Sequence, residues 1–221
     1  MNLDGGDILK QALILLMPGI PAITLHECAH GWMALCFGDT TARDARRLSL
    51  NPLRHIDPMG TIILPGLMLL THMPFIFGWA KPVPVDFRRL RNGHLGIFLV
   101  ALAGPLANFL MMIGWLMLAG LIGNGTGISE TVPDNMRELA AQIALFGVSI
   151  NLVLMLFNLI PVPPLDGGRI VGAMLPDALS QSYMRLERYG LPILLLLIVS
   201  GAFRLIFEPV LNFFFFHMGV M

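Results

Sequence analysis

The chain has 221 residues, 56% of them hydrophobic and 13% charged. Soluble domains average about 45–50% apolar and about 25% charged residues, so the shift runs through the whole chain and excludes one anchor on a soluble body. The formal net charge is zero, which leaves no electrostatic reason to expect a nucleic-acid partner.

The first apolar segment covers residues 8–37. Asp4 and Asp7 outweigh Lys10 ahead of it and no small-x-small site follows, so this helix is expected to be retained rather than removed as a signal. Pro18-Gly19-Ile20-Pro21 is expected to interrupt it. Residues 38–58 are polar, 60–79 apolar but broken by Pro65 and Pro74, and 80–93 basic. Two long apolar runs follow at 95–122 and 139–160, separated by a polar loop with Glu130, Asp134 and Glu138. Pro161-Val162-Pro163-Pro164-Leu165-Asp166-Gly167-Gly168 ends the second. A mixed segment at 169–188 precedes a last apolar run at 191–207, and the phenylalanines at 213–216 read as an interfacial anchor.

Arg43, Arg46, Arg47 and Arg54 lie before the segment at 60–79, and Lys81, Arg88, Arg89 and Arg91 after it. Basic loops stay cytoplasmic, so that segment is expected to dip into the bilayer and return. The acidic loop then falls outside and 169–188 inside. The patterning describes an all-α polytopic membrane protein, with about five transmembrane helices and one re-entrant strand or loop element.

His26-Glu27-Cys28-Ala29-His30 carries the chemistry. Positions i and i+4 share one face of a helix, so the two imidazoles can grip one metal ion with Glu27 beside it as a candidate general base. If the helix enters the bilayer near Lys10, His26 lies about 24 Å along a core about 30 Å thick. Charged residues at such depth cost about 2.5–3.5 kcal/mol each on insertion scales. A structural zinc ion, worth about 10–16 kcal/mol in peptides, offsets that. A catalytic metal needs a third protein ligand and an open position. Asp166 is the best candidate, because its Pro/Gly-rich segment cannot stay helical and can turn a carboxylate back into the bundle. Under the charge-derived topology, His30 and Asp166 end near the same face. Cys28 lies two positions from each histidine and points to another face. Cys36 is about 12 Å along the helix from it, too far for a disulfide. His55 reads as a loop hydrogen-bond partner, His72 as interfacial, and His94 and His217 as helix-end or membrane-surface residues.

His26–His30, together with Asn158-Leu159-Ile160-Pro161-Val162-Pro163-Pro164-Leu165-Asp166-Gly167-Gly168, resembles the site-2 protease family of intramembrane zinc metalloproteases. The resemblance extends to Asn51-Pro52-Leu53-Arg54-His55-Ile56-Asp57-Pro58, to Gly78-Trp79-Ala80-Lys81-Pro82-Val83-Pro84-Val85 and to Gly104-Pro105-Leu106-Ala107-Asn108. It is nearest to the compact form without a PDZ or CBS domain. It implies that His26, His30 and Asp166 bind one Zn2+ per chain, that Glu27 is catalytic, and that Asn158 and Asn108 bind substrate. It implies an endopeptidase that cuts transmembrane protein substrates in or near their membrane segments, within the lipid bilayer. The setting is a bacterial inner membrane, with the active site opening toward the cytoplasm. Residues 80–85 resemble a membrane-embedded strand or loop, although Pro82 and Pro84 remove two ladder donors. The expected organisation is a single domain over 1–221 with its catalytic core at about 8–170. The alternative is a membrane metal-ion transporter or sensor, which has no need of a base such as Glu27.

Overall fold

The computed structural model describes residues 5–71, 78–123, 133–202, 205, 207–210 and 212. In chain order its helices are α1 (Gly5–Cys36), α2 (Thr41–Asp44), α3 (Leu64–Leu70), α4 (Gly93–Gly123), α5 (Asp134–Asn158), α6 (Asp166–Met174), α7 (Asp177–Met184) and α8 (Gly190–Val199). Among the described residues, α1, α4 and α5 are long and apolar enough to cross a membrane. The shortest of them, α5, has 25 residues and reaches about 37 Å against a hydrocarbon core of about 30 Å. The protein is all-α and integral to a membrane. α8 begins the last expected crossing and is ten residues long. The phenylalanines at 213–216, with His72, Pro74, Glu130 and His217, lie outside the described residues.

α4 packs against α1, α5 and α6, and α1 also packs against α5. Met112, Val148 and Leu152 form a buried cluster, with Trp115 and Leu116 against it. The expected interruption at Pro18–Pro21 does not occur, because α1 continues through both prolines as one helix. A proline removes only its own donor and crowds one carbonyl, while Pro18 is fully buried in a helix packed along α4 and α5. Those contacts keep the helix continuous.

The Asn51–Pro58 motif is two helix starts in tandem. Asn51 accepts from Leu53 N–H and Asp57 from Met59 and Gly60 N–H, each with proline in the first helical position. The second start opens a turn of π-helix, Pro58–Ile63, which runs into α3. The segment then comes back on itself: Trp79 N–H donates to Gly60 O (3.1 Å) and Thr61 Oγ1 to Trp79 O (2.9 Å). Its two ends therefore meet, as the basic loops on either side of it require. Residues 78–86 form neither helix nor strand, and no strand occurs among the described residues. The strand-or-loop element is thus a loop, in keeping with the donors missing at Pro82 and Pro84.

Candidate metal centre

His26 and His30 lie one turn apart on α1, and their Nε2 atoms are 3.1 Å apart. Asp166, the first residue of α6, places Oδ2 3.3 Å from both. His26 is buried, and the side chains of His30 and Asp166 are 13% and 14% exposed. Each imidazole is held from behind through Nδ1, His26 by Asn108 Oδ1 (2.6 Å) and His30 by Val100 O (2.7 Å). Those oxygens accept, so Nδ1 carries the proton in both rings and Nε2 turns a lone pair inward. Asp166 Oδ2 is buried and has no hydrogen-bond partner. Three potential ligand atoms thus face one another in a buried site, an arrangement that a shared cation would stabilise. Tetrahedral zinc with ligands at about 2.0–2.1 Å separates neighbouring donors by about 3.3 Å. The donor set therefore fits zinc in type, spacing and burial. Among the described residues no other His, Cys, Asp and Glu group converges in this way.

The route that brings Asp166 home is built from close backbone contacts. After α5 ends, Leu165 N–H donates to Val162 O (3.0 Å) and Tyr183 Oη to Pro161 O (2.7 Å). Ile160 and Leu165 are buried with Leu194 and Phe207. α6 starts so near this turn that a Cβ on Gly167 would overlap the carbonyl of Leu159, and one on Gly168 the backbone at Pro163. Across the site, a Cβ on Gly104 of α4 would run into the His30 and His26 rings. The glycines of both motifs are there for space.

Glu27 faces a different support. Its Oε2 accepts from Val83 N–H at 2.7 Å, on the loop at 78–86. That loop hangs from short and irregular elements: Lys81 N–H donates to His55 O (2.8 Å), and Arg47 Nη2 to Lys81 O (2.9 Å). Further along, Asp39, 1% exposed, accepts from Asp86 N–H (2.8 Å) and from Thr41 N–H (3.0 Å) and Oγ1 (2.5 Å). Burial works against the Asp39 carboxylate, but these hydrogen bonds and nearby Arg89 prevail and hold its pKa below the ordinary value.

The remaining sequence candidates separate. Asn108 is 0% exposed and bonds His26, Ala22 O and Asn151 Oδ1, so its side chain backs the His26 ring. Asn158, half-buried as the last residue of α5, donates from Nδ2 to Leu154 O (3.0 Å). Cys28 Sγ points away from the site to Ser49 O (3.2 Å), and His55 Nε2 meets the same carbonyl at 2.8 Å. His94, near the start of α4, bonds Ala173 O and Asp177. Asn151 belongs to no motif and is missed by sequence reading. Its signal is physical: an amide in the middle of an apolar run needs a partner.

The model of peptidase family M50 matches residues 127–200, a stretch that contains Asp166. YwhC of Bacillus subtilis (strain 168) is 35% identical over 90% of this chain and 85% of its own. Rip2 of Mycolicibacterium smegmatis is 27% identical over 94% of this chain and 75% of its own, and Rip2 of Mycobacterium tuberculosis (strain H37Rv) 26% over 88% and 67%. All three are zinc metalloproteases by name. No solved structure matches the chain.

Proposed function

Because the chain belongs to peptidase family M50, the site-2 proteases, we propose that this membrane zinc metalloendopeptidase cuts other membrane proteins in or near their transmembrane segments. The single observation that carries the reading is the convergence of His26 Nε2, His30 Nε2 and Asp166 Oδ2 beside Glu27. Those three residues would hold the zinc. When bound, zinc acidifies water and polarises a carbonyl.

The protein's own groups do the rest. Val83 N–H holds Glu27 Oε2, leaving Oε1 to take a proton from the attacking water. Glu27 then delivers that proton to the departing amide nitrogen as the C–N bond breaks. Asn158, whose Nδ2 is bonded to its own helix, offers Oδ1 to a substrate backbone N–H. A helical substrate hides its carbonyls in its own hydrogen bonds and must unwind before attack, which favours segments with helix-weakening residues. The basic loops on both sides of the re-entrant segment orient the site toward the cytoplasm. In this reading the chain is one intramembrane protease domain of a bacterial inner membrane, acting in regulated intramembrane proteolysis.

Glu27→Gln tests it. Zinc content stays near one per chain while cleavage falls by about 10²–10⁴-fold, the usual worth of a general base. Proteomics of released membrane fragments, comparing active and Glu27→Gln protein, then identifies substrates. Cleavage that survives the substitution refutes the mechanism.

A further inference from the structure

His30 and His26 are held in the same tautomer by unlike means. His30 Nδ1 meets a backbone carbonyl, that of Val100, which can only accept. His26 Nδ1 meets a side-chain amide, that of Asn108, which has a donor end and an acceptor end. Turned over, Asn108 would offer its NH2, drive the His26 proton to Nε2 and block the metal-facing lone pair. Something must keep the amide from turning.

The fixing groups sit on two helices, α5 and α1. Asn151 of α5 is 0% exposed, and its Nδ2 donates to Gly147 O of its own helix at 2.8 Å. Because that carbonyl only accepts, the NH2 of Asn151 must face it, and Oδ1 must face Asn108. Asn151 Oδ1 then accepts from Asn108 Nδ2 at 3.0 Å, and the same Nδ2 donates to Ala22 O of α1 at 3.1 Å. With both Asn108 N–H groups committed, Oδ1 is the end left for His26. The chain Gly147 O, Asn151, Asn108, His26 has one consistent direction of donation, set at its far end by backbone.

We propose that Asn151 is a positioning residue of the metal centre. Acting through Asn108 and together with Ala22 O, it sets the His26 tautomer and ring orientation that present Nε2 to zinc. This rests on the zinc-endopeptidase reading and deepens it. An amide serving only packing gains nothing from being in hydrocarbon. Partners behind a ligating imidazole usually contribute about 10–100-fold in metal affinity.

The test is a double-substitution cycle on the full chain in lipid nanodiscs, read by zinc affinity against a competing chelator. Asn108→Ala is expected to weaken zinc by about 10–100-fold and Asn151→Ala by about tenfold, at the low end of that range. The pair together is expected to be no weaker than Asn108→Ala alone. Asn151→Asp, uncharged inside the bilayer, keeps an acceptor toward Asn108 and recovers most of the affinity. The zinc-free protein gives a second readout, in which the 15N shift of His26 Nδ1 reports a protonated nitrogen in the parent and a tautomer mixture in Asn151→Ala. Losses that add in the double variant, or a His26 tautomer unmoved by Asn151→Ala, overturn the relay. A parent that binds no zinc refutes the endopeptidase reading instead, and the tautomer readout still decides the relay.

Discussion

The two halves of the candidate site are supported in opposite ways. The three candidate ligand donors come from helices, and each histidine is braced by a neighbouring helix through Asn108 or Val100. The carboxylate of Glu27, also on α1, is held by a single N–H on a loop, and that loop is itself held by His55 O at the end of a single helical turn and by Arg47 and Asp39 in irregular chain. Helical backbone is fixed by its own hydrogen bonds, whereas loop chain without a ladder takes its position from whatever it touches. Metal binding should therefore be the rigid function and base positioning the adjustable one, so that substitutions separate the two.

The largest effect is expected at the metal end. Asp166→Ala removes one of three ligands, and zinc content should fall from near one per chain to near zero by elemental analysis, with cleavage at background. Next comes Gly104→Ala, whose added carbon would overlap both imidazoles. Chelator competition should show zinc weakened by about 10–100-fold, as for other groups that orient ligands. The loop end should behave differently. Val83→Pro deletes the N–H on Glu27 Oε2 in a stretch already flanked by Pro82 and Pro84. A hydrogen bond to a charged group is worth about 1.5–3 kcal/mol, so kcat should drop by about 10–100-fold while zinc content stays the same. If zinc falls in parallel with kcat, the two supports are not separate.

The smallest effect is a pH dependence at Asp39. Its pKa is lowered in the folded protein, so the unfolded chain binds a proton more readily. The stability this contributes is fully present above the unfolded value of about 3.9 and is lost as pH falls through the lower folded value. Asp39→Asn should lower the melting temperature near neutral pH by about 2–4 °C for each kcal/mol lost. The gap to the parent should close as acid protonates Asp39. A gap that does not change with pH would mean that Asp39 acts through shape alone.

Much of the metal centre can be read along the chain because its signals are local. His26 and His30 are joined by the pitch of one helix, and the break at 161–168 marks where a carboxylate can leave helical geometry. The return of the segment at 60–79 is legible from the charges on both sides of it. Other features are not local. The continuity of α1 through Pro18 and Pro21 depends on α4 and α5 packed along it. The contact of Asn108 with His26 and its complete burial are visible only in the fold, and Asn151 carries no motif at all.

From residue order alone come the all-α class, the membrane setting and the candidate ligand and base residues, since each follows from periodicity, hydropathy or donor chemistry within a few turns. Tertiary structure decided which atoms back those groups: Val100 O behind His30, the Asn151–Asn108 pair behind His26, Val83 N–H on Glu27 and Gly104 against both rings. These contacts join residues tens of positions apart, and whether a backbone carbonyl or a flippable amide meets an imidazole depends on how helices dock. A linear pattern holds no record of that.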